Sequence, residues 1–503
     1  MSPLLLFSFV IGYFLLLLAV AYLTSRNSNN DSFFIGNRSS NWMLVAFGMI
    51  GTSLSGVTFV SVPGTVGDFA GDAHKAFGYF QVVIGYWLGY FIVAFILLPL
   101  YYRLQLTSIY NYLNSRFGVI AYKTGALFFI ISRTVGATAR LYLVINVLQV
   151  FILDSLGVPF GITALVILLM IILYTFEGGV KTIVYTDTLQ TTFMLLGLIV
   201  CILYIMQRMG LSFSGIANAL DAHGYTRLFN TDIQSKGFFL KQIVGGMFIT
   251  IAMTGLDQEM MQKNISVRNL GDSKKNMMLF SGVMVLVNFL FLLLGGLLYL
   301  FMLSNGGSYD HHQLMVQGKN VIGDDLFPTV ALQYLPKSIA IIFIIGLISA
   351  LFPSADGALT ALTSSFCIDI LGLKKRGDIQ EKRKKRIRMT VHVIFALIFL
   401  LCILVFKWIN NKSIINIILE FAGYTYGPLL GLFAFGIFTK RRLPETWMIT
   451  AICLVVPLIC WLVSRNAVQW FGGFQIGIEL LLINGILTFL GLLMVSKKQA
   501  LIN

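Results

Sequence analysis

Apolar runs of roughly 18 residues or more recur along the whole chain, and that feature removes most folds from consideration. Each run is long enough to cross a hydrocarbon core roughly 30 Å thick. Inside lipid every backbone N–H and C=O must find its partner within the segment, so the runs are helices. Charged residues make up only 11% of the chain and hydrophobic ones 57%, whereas a soluble domain carries about 25% charged residues. The expectation is an all-α integral membrane protein. The runs fall near 4–24, 42–70, 76–101, 122–151, 158–176, 182–207, 238–258, 277–303, 338–371, 389–409, 414–438, 445–464 and 473–496, which predicts thirteen transmembrane helices.

No Lys or Arg precedes the first run, so it is read as a span and not as a cleaved signal, with the N-terminus outside and the C-terminus cytoplasmic. Thirteen crossings then put the loops around Arg26/Arg38, Arg103/Arg116/Lys123, Lys181, Lys263/Arg268/Lys274/Lys275, Lys374 to Arg388, Lys440 to Arg442 and Lys497/Lys498 inside. These carry 24 of the 36 lysines and arginines, as the positive-inside rule requires. The net charge of +15 is thereby a membrane-topology signal. "KKRGDIQEKRKKRIR" between two spans is expected to face anionic lipid and not nucleic acid. The five cysteines lie in or beside apolar spans without metal spacing, which argues against a disulfide framework. The expected location is a plasma membrane of the bacterial inner-membrane kind.

The longest polar gaps, about 209–237 and 304–337, are loops, so any binding takes place within the bundle. His311 and His312 beside Asp310 are either metal ligands or polar loop surface. The second and seventh spans, "GMIGTSLSGVTFVSVPG" and "FITIAMTGLDQEMMQK", are both apolar helices interrupted by small or polar residues. Interruptions at corresponding places in two halves point to an inverted repeat with a binding site near the bilayer midplane.

In "SALFPSADGALTALTSSFCIDI" (349–370), Ser349, Pro353, Asp356, Thr360 and Thr363 are spaced to form one polar stripe along a helix. Pro353 has no N–H and frees the carbonyl of Ser349. Hydroxyls and freed carbonyls suit a small hard cation such as sodium, or alternatively close helix packing. Asp356 favours function, because a carboxylate at this depth is costly. Asp369 reads as an interface residue. Asp187, among Thr182, Thr186 and Thr188, is either an ion ligand or the partner of Lys181. The glycine- and serine-rich stretch 48–64 is either unwound or tightly packed. Arg133 and Arg140, seven apart on one face of a span, suit a carboxylate, or else one pairs with Asp187 or Asp257 or snorkels to an end.

These residues resemble the sodium:solute symporter family, to which the sodium/glucose, proline and sialic-acid cotransporters belong. The resemblance runs over essentially all the spans and is carried by "EGGVKTIVYTDTLQ" (177–190), "GLDQEMMQK" (255–263), "SADGALTALTSSFCIDI" (354–370) and "GYTYGPLLGLFAFGIFTKR" (423–441). It implies a leucine-transporter-like fold: an extra N-terminal helix and loop (1–41), two inverted five-helix repeats (42–207 and 238–438) and two C-terminal helices (445–496). It also implies one sodium held by carbonyls of Gly51, Leu54 and Ala350 and the hydroxyl of Ser354. Where many members have adjacent serines this chain has Pro353 then Ser354, so Thr52 or water is expected to supply the missing oxygen. Some members hold a further sodium with an aspartate matching Asp187 and hydroxyls matching 353, 356 and 357, which here are Pro353, Asp356 and Gly357.

For the solute, the resemblance nominates Thr58, Phe59, Gln81, Arg133, Arg140, Asp257, Gln258 and Tyr424. No acid in the third span matches the sugar cotransporters' glutamate, and the paired arginines favour an organic anion such as a sialic acid or another carboxylate. The expected function is sodium-coupled import by alternating access, driven by the sodium gradient and the membrane potential, with a monomer sufficient. The partners expected are the solute, sodium and lipid, with no nucleic acid and no enzymatic activity. The alternatives are proton coupling through Asp187 or Asp356, a neutral sugar or polyol as solute, and a solute-binding sensor.

Overall fold

The computed structural model describes residues 3–25, 33–34, 36–67, 75–175, 179–310, 313–316, 319–321, 323–374, 376, 378–409 and 414–497. In chain order its main helices are α1 (Pro3–Ser25), α2 (Trp42–Leu54), α3 (Gly56–Thr65), α4 (Tyr79–Arg103), α5 (Asn111–Phe117), α6 (Val119–Leu148), α7 (Phe160–Thr175), α8 (Gly179–Arg208), α9 (Phe213–Ala222), α10 (Phe239–Gly255), α11 (Gln258–Ile265), α12 (Leu270–Ser304), α13 (Lys337–Ile370), α14 (Glu381–Ile409), α15 (Ile414–Phe438), α16 (Met448–Trp470) and α17 (Leu480–Val495). Among the described residues nine helices are long and apolar enough to cross a membrane singly, two bent helix pairs are long and apolar enough only when each is taken as one, and α7 and α17 are shorter apolar helices. Each of these coincides with one of the thirteen expected runs. The loop 304–337 carries a small antiparallel sheet of Ser308–Asp310, Gln313–Val316 and Lys319–Asn320, in that order, and the loop 209–237 carries α9. Neither was expected from the sequence. His311 and His312 lie outside the described residues.

Burial sorts the helices into layers. In α13, 78% of the apolar window is inside the protein, against 28% in α1, 33% in α14 and 22% in α16. The helix with the polar stripe is thus the central one, as a stripe that cannot face lipid demands. Ser349, Asp356, Thr360 and Thr363 are all buried. Around it pack α8, α6, α2 and α3, with α10 against α4 on the other side. That last contact depends on small residues: a Cβ on Gly85 would run into the Ile243 carbonyl, and one on Gly246 into that of Val82. Such close approach of helix backbones is what substitutes for hydrophobic force inside lipid.

The two interrupted segments are the bent pairs. α2 and α3 meet at 55°, and α10 and α11 at 63°. The first joint is Ser55, with φ 9° and ψ 171°, a conformation outside both helix and strand. The second is Leu256–Asp257, where the Asp257 side chain accepts from the N–H groups of Glu259 and Met260 at 2.9 and 3.2 Å and so starts α11 afresh. An N-cap carboxylate satisfies donors that a broken helix would leave bare in lipid.

Three sequence expectations change here. Lys263 and Arg388, counted with the cytoplasmic loops, are buried at 3% exposure each. Arg388 stacks on the Phe33 ring, 4.1 Å from its centroid. Asp369, expected at the membrane interface, is buried within the protein and accepts from the hydroxyls of Ser108 (2.8 Å), Tyr122 (2.8 Å) and Ser365 (2.6 Å). It therefore ties α6 and the turn before α5 to the end of α13. The described cysteines are free.

Candidate functional site

The first joint rests on the central helix. A Cβ on Gly51 would stand 3.5 Å from Cγ of Pro353, and one on Gly56 would stand 4.0 Å from the carbonyl oxygen of Ala350. Gly51, Leu54, Ala350 and Ser354 are thereby brought into one neighbourhood where a helix ends and its carbonyls lose their usual donors. The Ser354 hydroxyl donates to the Leu351 carbonyl at 2.9 Å. With its proton committed there, the Oγ lone pairs are free to accept a cation. The Gly51 N–H donates to Thr191 Oγ1 at 3.1 Å, which fixes the joint against α8.

Asp187 and Asp356 lie beside this neighbourhood with other partners. Asp187 Oδ2 accepts from Lys263 Nζ at 2.6 Å and from the Thr52 hydroxyl at 3.1 Å. Lys263 also donates to Thr52 Oγ1 at 2.6 Å. Thr52, expected as a spare sodium ligand, is taken up in this cluster, and Asp187 is paired with Lys263; the side chain of Lys181, the expected partner, lies outside the described residues. Asp356 Oδ2 accepts from the Tyr174 hydroxyl at 2.7 Å. The Oδ1 atoms of both aspartates are buried without a hydrogen bond among the described residues.

On the other side of the joint lies a cavity of about 100 Å³. Thr58, Arg133, Arg140 and the phenols of Tyr79, Tyr86 and Tyr90 line it. The arginines, alike in sequence, differ in their surroundings. Arg133 is ion-paired to Glu259 and buried. Arg140, half-buried at the wall, has no carboxylate partner among the described residues. Tyr79 and Tyr86 join hydroxyl to hydroxyl at 3.3 Å beside it.

The remaining expected solute residues are not brought to this cavity. Gln81 donates to the Gly78 carbonyl at 2.9 Å and accepts from the Asn230 N–H at 3.3 Å, tying α4 to the loop before α10. Gln258 accepts from the Ile109 N–H at 2.9 Å and donates to the Thr107 carbonyl at 3.1 Å. Phe59 packs on Phe291, Phe327 and Phe343. Tyr424 sits with Val456 and Cys460 on the α16 side. Its near neighbour Tyr426 points inward and donates to Asp257 Oδ2 at 2.6 Å. Residues two apart on a helix point roughly 200° away from each other, which is why Tyr426 and not Tyr424 reaches Asp257.

Sequence reasoning passed over Glu259, Lys263, Tyr174 and Tyr426. The signal for the first two was present: two opposite charges four apart inside an otherwise apolar stretch place both on one face.

The chain is 24% identical to the sodium/sialic acid symporter NanT of Aliivibrio fischeri, over 93% of this chain and 89% of that one. It is 22% identical to the sodium/sialic acid symporter SiaT of Proteus mirabilis, over 91% and 89%. A solved Na+-coupled sialic acid symporter, in a substrate-bound outward-open state, superposes with a TM-score of 0.80 at 20% identity, over 98% of this chain and 99% of that one. It shares the fold. The sequence pattern of the sodium:solute symporter family matches residues 33–464, and the chain belongs to that family of multi-pass, sodium-coupled membrane transporters.

Proposed function

We propose that this symporter imports a small organic anion, with sialic acid and related sugar acids as the leading class. The observation that carries the reading is Arg140: a guanidinium in the wall of an intramembrane cavity, among phenols, with no carboxylate partner among the described residues. A cation at this depth is costly unless something neutralises it, and a solute carboxylate meets the planar fork with two parallel hydrogen bonds. The relatives named for sialic acid, itself a carboxylate sugar, support the same class. Thr58 and the tyrosine hydroxyls are donors and acceptors suited to the polar remainder of such a solute.

Sodium enters as co-substrate at Gly51, Leu54, Ala350 and Ser354. An ion there links the α2/α3 joint to α13 and favours the outward-open form, in which the solute binds. By linkage the solute raises sodium affinity by the same factor. The proposed frame is two inverted repeats over 42–207 and 238–438, in a plasma membrane, with the N-terminus outside and one chain sufficient. No chemistry on the solute is involved.

The test is uptake into proteoliposomes under an inward sodium gradient, with a panel of sugar acids, simple carboxylates and neutral polyols. We expect a carboxylate to be taken up, Arg140→Gln to abolish its transport while sodium binding persists, and Ser354→Ala to raise the sodium concentration needed. Transport of a polyol and of no acid overturns the anion reading. Uptake that follows pH in sodium-free buffer overturns the sodium reading in favour of protons.

A further inference from the structure

Lys263 lies one turn beyond Glu259 on α11, and its side chain reaches across to two other helices. Its ammonium stands 2.6 Å from Asp187 Oδ2 on α8, 2.6 Å from Thr52 Oγ1 on α2 and 3.9 Å from Glu259 Oε1. Asp356 on α13 is also within its electrostatic range. A carboxylate and a hydroxyl oxygen converging on one point between helices are ligands suited to a hard cation. Here that point holds a compact unit charge with three donors. The space for it is provided by Gly357: a Cβ there would press into Glu259 Oε1 and stand 3.2 Å from Lys263 Nζ. The ammonium cannot leave on the cytoplasmic side, because it is attached to the chain.

We propose that Lys263 is a tethered cation that fills the Asp187 pocket, so that one sodium ion is bound per cycle, at the α2/α3 joint, and none at Asp187. The proposal rests on the sodium-coupled reading above and fixes its ion count. Lys263 acts as a specificity-determining residue for the co-substrate: it decides how many sodium ions the protein takes. Its contacts with Thr52 and Asp187 also join α2, α8 and α11 without any ion from solution. The competing possibility is a sodium ion drawn to the buried Oδ1 atoms of Asp187 and Asp356 beside the ammonium.

The experiment is equilibrium binding of radioactive sodium to the purified full-length protein, with sodium alone as the probe. Wild type is expected to bind one ion. Lys263→Ala, which empties the pocket and leaves Asp187 uncompensated, is expected to bind two, and the Lys263→Ala/Asp187→Asn double variant one. Lys263→Met, which keeps most of the bulk without the charge, is carried in parallel, and a thermal melt verifies that each variant is folded. A wild-type count of two overturns this inference and leaves sodium coupling intact. A folded Lys263→Ala protein that still binds one ion does the same. A wild-type count of zero overturns sodium coupling itself. Should neither single variant fold, the wild-type count alone decides.

Discussion

A charged residue deep in a helical bundle is defined by its partner, and here the partners separate residues that look alike. Arg133 is neutralised by Glu259, whereas Arg140 is not. Removing one member of a buried pair leaves the other uncompensated, at about 3–5 kcal/mol. Glu259→Gln is therefore expected to lower the melting temperature of the purified protein clearly, and Arg140→Gln is expected to leave it near wild type, since no pair is broken. Equal losses in the two variants would refute the distinction. Tyr426→Phe removes a hydrogen bond to the buried Asp257 carboxylate, worth about 1.5–3 kcal/mol, while Tyr424→Phe should be near neutral in the same assay. The polar types that matter were legible in the sequence, because a charge in an apolar run stands out. Their pairings were not: Arg133 and Glu259 are 126 positions apart, and Asp187 and Lys263 are 76. Nothing local to "ISRTVGATAR" says which of its two arginines is neutralised.

At the level of elements, the two interrupted segments were legible from glycine, serine and aspartate inside apolar runs, and both bend where such residues cluster. Their anchoring was not legible. The second half, α3, is held by the Tyr299 hydroxyl, which donates to the Gly64 carbonyl at 2.7 Å. It also lies directly against the loop at Gly323, where a Cβ on Gly64 would collide with backbone. The first half, α2, is held by Thr191 and Lys263. The halves share α12 and α13 as neighbours and differ in their anchors, α2 packing on α8 and α3 on the loop at Gly323, with Ser55 as the joint between them. In the same loop, half-buried Asp324 accepts from the Ile414 N–H at 3.4 Å, tying the loop to α15. Burial pushes its carboxyl up from 3.8 to about 6. A raised value means that the protonated form fits better: its contribution is fully present below about 3.8 and is lost as pH rises through about 6. The difference in melting temperature between wild type and Asp324→Asn should accordingly change across pH 4 to 6 and stay flat above 7. A constant difference would show that the group does not titrate there. The small sheet and α9 escaped the sequence reading because polar loops between spans carry no periodicity strong enough to declare them.

For the whole molecule, hydropathy alone indicated the class of fold, since lipid leaves a chain of this composition almost no alternative to a helical bundle. The candidate site was only half visible, because it is assembled from α2, α3, α4, α6, α8, α10, α11 and α13 across the length of the chain. The clasp of Lys263 on Asp187 and Thr52 has an electrical consequence. With the proposed single sodium, its entry together with one monovalent carboxylate would move no net charge, so the membrane potential, expected from the sequence to help drive import at about 2.3 kcal/mol per charge per 100 mV, would do no work on the cycle. Clamping vesicles at different voltages with potassium and valinomycin should leave uptake of a monocarboxylate unaltered, whereas collapsing the sodium gradient should stop it. A cell that is depolarised but still salt-poor inside would go on feeding through this protein.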